Sequence, residues 1–149
     1  MPATALAHLS QFWGVRARID EHGDLVGLSD PERVVHLMLC YTGEVGNGGH
    51  VQYFMNPGGA FAHETVEALN VLGAHEVANV LARTISLFPR GTVPKESRDR
   101  NSAVQQLSES AMAQLAVADQ AVWQHSLDVL ALSYLRQRSK DVLSLEQRD

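Results

Sequence analysis

One cysteine in 149 residues rules out any internal disulfide, so the core alone has to hold the fold and a reducing cytoplasm is the expected compartment. That residue, Cys40, sits inside Leu37-Met38-Leu39-Cys40-Tyr41 and is expected to fill core space as a small hydrophobe. No apolar run approaches the roughly 20 residues needed to span a bilayer. Met1 to Ser10 lacks a basic leader segment and contains His8, so it does not read as a signal peptide. Alternation of apolar and polar residues never runs beyond a few positions, and no Asn-Gly hairpin joins two β-branched runs, so strands are not expected. No repeat of about 20 to 50 residues is present. There is also no Gly-x-Gly-x-x-Gly, no phosphate-cradling loop after a strand, and no Gly-x-Ser-x-Gly. Cations are scarce in one half. From Ile19 to Ala82 nine carboxylates face Arg33 alone, a net of −8, whereas Arg83 to Asp149 nets +1 and the whole chain −5.

What is present suits one globular domain. A hydrophobic content of 45% is ordinary for a folded protein, and the length leaves little room for two cores. Leu6, Leu9, Phe12, Trp13, Arg16 and Ile19 recur at helical spacing, predicting a helix from about Thr4 to Glu21. Ser29-Asp30-Pro31-Glu32 reads as a capping box, the Ser29 hydroxyl on the Glu32 amide and the Glu32 carboxylate on the Ser29 amide. Pro31 is tolerated in that first turn. Val34, Val35, Met38, Tyr41 and Val45 then form an apolar stripe that ends at Gly46-Asn47-Gly48-Gly49. A short helical turn from His50 to Asn56 and a Pro57-Gly58-Gly59 turn follow. Helices over Ala60 to Leu72 and Ala74 to Phe88, split by Gly73, are expected to pack as a hairpin. Pro89 to Pro94 reads as a loop and Glu96 to about Leu115 as a polar helix. Asp119 is expected to cap a last helix carrying Val122, Trp123, Leu127, Leu130, Leu132 and Leu135 inward, before the charged tail from Ser139. The expected fold is all-α, about six helices in one domain, with Trp13, Val35, Leu69, Leu81 and Trp123 buried.

The segment from Glu44 to Asn56 is chemically unusual. It sets Asn47, His50, Gln52 and Asn56 between two glycine-rich turns. Amides donate and accept at once, which suits a junction where helix ends leave backbone groups open. Fastening that junction is therefore the expected role of Glu44, Asn47, Gly48, Gly49, His50, Gln52 and Asn56. Asn47 or Gly48 should take the left-handed conformation, and the Gln52 and Asn56 side chains should bond to backbone. The sharper reading makes the segment a ligand pocket, or a hydrolytic site with Glu44 and His50 as acid and base. His63 and Glu67 lie four apart on a helix face, but a zinc site wants three or four ligands and no His-Glu-x-x-His or Cys-x-x-Cys spacing completes the set, so no metal and no cofactor are expected.

Three stretches, Leu28 to Val35, Glu44 to Asn56 and Glu64 to Ala74, resemble the DNA-mimic-protein-19-like family, a domain of unknown function. Leu87 to Pro94 matches that family's loop after the hairpin. The resemblance covers about residues 28–100 well and the C-terminal helix, about 119–138, more loosely. It implies an all-helical bacterial domain. The family is named for an acidic member that imitates DNA charge and occupies the DNA-binding face of a transcription factor.

The expected function is accordingly a non-enzymatic protein-interaction domain. Its acidic residues Asp20, Glu21, Asp24, Asp30, Glu32, Glu64, Glu67 and Glu76 would form a face for a basic partner such as a helix-turn-helix regulator. Direct nucleic-acid binding and membrane insertion are not expected, and self-association stays open. The alternative is a small-molecule or peptide-binding domain centred on Asn47 to Asn56.

Overall fold

The longest helix carries most of the core. The computed structural model describes residues 30–138, and α1 runs Asp30–Met55 through their centre. Its buried positions Val34, Val35, Met38, Tyr41 and Val45 recur every three to four residues, the spacing that lines one helix face. The helix is broken at Gly48 and Gly49, and its second part buries His50, Tyr53 and Phe54. A 3-10 turn, Pro57–Phe61, leads into α2, Ala62–Val71. Gly73, at φ +85°, turns the chain into α3, His75–Ile85, and α2 and α3 pack against each other. After a 3-10 turn at Pro89–Gly91 come α4, Ser97–Gln105, α5, Glu109–Trp123, and α6, Asp128–Gln137.

Six α-helices and no strand occur among the described residues, so the chain folds as an all-α domain. α1 touches α2, α4, α5 and α6, and α5 also packs on α3. Val35, Leu69 and Leu81 are buried as expected. The Thr4 to Glu21 helix, Trp13, the Ser29 cap and the tail from Ser139 lie outside the described residues.

Two expectations about the C-terminal third are corrected. The stretch from Glu96 to Leu115 is not one helix but two, separated at Leu107 and Ser108. Ser108 is the true cap of α5, its Oγ accepting from the Ala111 amide at 3.0 Å. Asp119 therefore lies inside α5, not at a helix start, and its carboxylate is committed elsewhere. Trp123 is 57% exposed, not buried. It is the last residue of α5, and Leu127, Ala131 and Leu135 beyond it supply the burial.

Candidate functional site

The break in α1 is held by one turn of α5. Gly49 has φ +76° and ψ −175°, a region essentially closed to residues with a Cβ. It is therefore Gly49, and neither Asn47 nor Gly48, that takes the positive φ. Gly48, at φ −149° and ψ 15°, departs from the helix but keeps a negative φ. Past the break the His50 amide donates to Asp119 Oδ1 at 2.7 Å, so Asp119 caps the second half of α1 from another helix. Before the break Trp123 Nε1 donates to the Val45 carbonyl at 3.0 Å. Asp119 and Trp123 stand four apart on α5, the spacing that puts two side chains on one face.

Inside the break a buried chain of hydrogen bonds joins the two halves. His50 Nδ1 lies 2.5 Å from Asp119 Oδ1, and His50 Nε2 lies 2.7 Å from the Tyr41 hydroxyl. Burial pushes the His50 pKa down, against the raising effect of Asp119, and pushes the Tyr41 hydroxyl well up. The consistent assignment has His50 neutral, Nδ1–H donating to Asp119 and Nε2 accepting from the Tyr41 hydroxyl. His50 is fully buried, so this chain fastens helices and offers no imidazole to solvent.

The neighbouring amides do a related task, though not the expected one. Gln52 Nε2 and Asn56 Nδ2 both donate to Glu44 Oε2, at 2.7 and 2.9 Å, where bonds to backbone were expected. A carboxylate accepts two amide donors readily, and one helical turn before the break places Glu44 where both can reach it. Glu44 and His50 face different partners, so the structure does not assemble the acid and base pair.

Arg100 of α4 closes the same region from below. Its guanidinium is buried and donates to the carbonyls of Phe54 at 2.6 Å, Asn56 at 3.2 Å, Pro94 at 3.2 Å and Lys95 at 2.9 Å. The end of α1 and the loop before α4 are thus tied by one side chain. Beside it lies a cavity of about 600 Å³ whose walls include Cys40, Glu44, Tyr53, Asn56 and Arg100. His50 and Gln52 do not line it. Cys40 is half buried and its thiol lies against Gly58, where a Cβ would come within 2.5 Å of Sγ.

The acidic residues divide by environment. Asp20, Glu21 and Asp24 lie outside the described residues. Asp30 is exposed and pairs with Arg33 at 3.3 Å. Glu32 is only 1% exposed and does not belong to a surface. It shares the buried side of the first turn with Pro31, Val34 and Val35. Glu64 accepts from Lys95 Nζ at 2.6 Å; burial raises its pKa, but the Lys95 hydrogen bond, a backbone hydrogen bond and the charges of Lys95 and His63 together outweigh this and hold it below the usual carboxylate value. Glu67 is exposed. Glu76 is 82% exposed with His125 Nε2 at 3.3 Å. His63 Nε2 accepts from the Val93 amide at 3.3 Å. Among the described residues no group of three His, Cys, Asp or Glu side chains could hold a metal ion, and no helix is long and apolar enough to cross a membrane.

A second cation-poor stretch, unremarked in the segment charges, accompanies the first. No lysine or arginine occurs between Arg33 and Arg83, and none between Arg100 and Arg136. All of α1 beyond its first turn, α2, most of α3 and all of α5 are therefore without a fixed positive charge. Averaging Arg83 to Asp149 into a single +1 conceals this, because its cations cluster at 83–100 and from Arg136 onward. The sequence pattern likewise gave Tyr41 only as a core residue and Asp119 only as a cap. The bond between Asp119 and His50 joins residues 69 positions apart, which no local signal reports.

The fold and site define a helical domain whose polar residues are spent on fastening a broken central helix. Its matched segment gives the relationship: the chain belongs to the DMP19-like protein family, whose model matches residues 27–138. No curated protein and no solved structure matches the chain.

Proposed function

We propose that this protein is a non-enzymatic interaction domain that works in the cytoplasm by engaging a basic protein partner, such as a DNA-binding regulator, as a DNA mimic does. The observation that carries the reading is the pair of cation-free stretches, which hold Glu44, Glu64, Glu67, Glu76, Glu109, Asp119 and Asp128 without one lysine or arginine between them. Of these Glu64 is paired with an internal lysine, Lys95, whereas the exposed carboxylates Glu67 and Glu76 are available to attract a cationic surface. Membership of the DMP19-like family fits a protein-interaction role of this kind. The buried, fully partnered state of His50 fits it too, since the most catalytic-looking side chain is structural.

The test is capture from an extract of the source cells on the immobilised chain at low salt. Bound protein should be released both by raised salt and by duplex DNA, because attraction between surface charges is screened over about 8–10 Å at physiological ionic strength. A double Glu67→Gln, Glu76→Gln variant should slow association more than it speeds dissociation. A captured partner indifferent to salt, to DNA and to these amides would overturn the reading. The cavity beside Arg100 favours a second reading, a small-molecule or peptide ligand lodged between Glu44 and Tyr53. Thermal stabilisation by a ligand with unchanged partner capture would favour it.

A further inference from the structure

Trp123 is the largest of the apolar side chains left exposed among the described residues, with 57% of its surface open. It is nevertheless held in place. Its N–H is fixed on the Val45 carbonyl at 3.0 Å, so the indole keeps one orientation while much of the ring stays in water. On the side facing α1 its surroundings favour positive charge. Asp119, one turn earlier on the same face, uses Oδ1 for both His50 bonds, and its Oδ2 makes no hydrogen bond among the described residues. The first half of α1 ends here at the exposed residues Gly46, Asn47 and Gly48, and a helix C-terminus carries partial negative charge. Neither α5 nor α1 beyond its first turn supplies a cation to occupy the place.

We infer that Trp123, flanked by Asp119 and the Gly46 to Gly48 turn, is the seat for an arginine side chain of the basic partner; this rests on the basic-partner reading above. Arginine fits better than lysine. Its guanidinium is flat, weakly hydrated and stacks on an aromatic face, whereas an ammonium is a compact, strongly hydrated point charge. Tryptophan is the strongest aromatic for cation–π attraction, and a tryptophan fixed by its edge loses little conformational freedom on binding. Trp and Arg are also the residues that most often dominate interface energies.

The experiment uses the full chain and two probes of equal charge, hexaarginine and hexalysine amides, titrated at low salt. The tryptophan indole N–H signals are followed by nitrogen-15 NMR, and Trp123→Leu identifies the one that belongs to Trp123. Hexaarginine should bind about two- to fivefold more tightly than hexalysine, the range for a cation–π contact at an exposed site. It should also move the Trp123 indole signal and the amides of Gly46, Asn47 and Gly48. Trp123→Leu should abolish the preference while leaving hexalysine binding as it was. The mapping and the probe comparison in the parent chain stand without a variant, and Trp123→Phe, which keeps a ring, should retain part of the preference. Equal binding of both probes with an unmoved Trp123 signal sinks the seat and leaves the basic-partner reading standing. Failure of both probes to bind at low salt sinks both. A Trp123 signal that shifts on diluting the protein alone overturns the inference in favour of a contact between copies.

Discussion

Gly49→Ala should be among the most damaging single-methyl additions in this protein, and Gly46→Ala, three residues earlier, should be harmless. The added Cβ at position 49 would lie 2.4 Å from Asp119 Oδ2 and 2.9 Å from Cγ, and Asp119 has little freedom to retreat because Oδ1 holds His50 twice. Two contributions follow. Forcing alanine to φ +76° and ψ −175° costs on the order of 1–3 kcal/mol. Displacing Asp119 leaves the buried His50 amide and Nδ1–H without acceptors, about 1–3 kcal/mol for each unsatisfied group. Because one backbone shift could relieve part of both, the expected net loss is about 3–5 kcal/mol, a large share of the roughly 5–15 kcal/mol typical of a domain. Nothing lies within 4 Å of a Cβ at Gly46, and its φ is not positive. Alanine there should stabilise the helix by up to about 1 kcal/mol. Urea unfolding followed by far-ultraviolet circular dichroism measures both. A double-mutant cycle with Asp119→Ala should show Gly49→Ala costing less once the carboxylate is gone. A loss below about 1 kcal/mol for Gly49→Ala, or equal effects at positions 46 and 49, would refute the reasoning.

Gly48→Val should destabilise by more than about 1 kcal/mol, for a different reason: a Cβ there meets the Gln52 side chain at 2.0 to 2.8 Å and drives it off Glu44. An unchanged melting temperature would show that the amide fork is dispensable. Arg100→Met should cost about 3–5 kcal/mol, since four carbonyls lose a charged donor. Arg100→Lys should recover little, because an ammonium cannot span both segments; full recovery by lysine would contradict the fork geometry. Stability should fall as pH drops below about 6.5, because the unfolded chain takes up a proton that the buried His50, with its lowered pKa, refuses. The slope from this one group is at most about 1.4 kcal/mol per pH unit and levels off below the folded pKa. His50→Gln should remove that component, and parallel curves for parent and variant would count against it.

The sequence made legible whatever depends on neighbours along the chain. The stripe from Val34 to Val45 announces a helix face, and Gly73 announces the turn between α2 and α3, because helical spacing and a positive φ are local properties. The glycine run at 46–49 marked a real discontinuity, but which glycine bears the unusual backbone depends on where Asp119 arrives from α5. Asp119 was misread for an instructive reason: an aspartate ahead of an apolar stretch resembles a cap, and it does cap a helix, only one 69 positions away. Ser108, the actual cap of α5, lies in a polar stretch with no sharp change of periodicity. Trp123 was assigned to the core on hydrophobicity alone, whereas its N–H found the Val45 carbonyl and left the ring outside. Glu32 errs in the other direction, since charge suggested surface and the geometry of the first turn buried it. The family resemblance reached the right relatives because the Glu44 to Asn56 motif is contiguous.

The clamp on α1 also sets how the domain can breathe. The His50 amide and the Trp123 indole N–H both point across the contact between α1 and α5, one on each side of the helix break. Both hydrogens are held in bonds that span the two helices, and parting the helices releases both. The two protons should therefore report a single opening event. The central helix, although broken in its backbone, should behave in exchange as one unit with a helix that begins more than fifty residues after α1 ends.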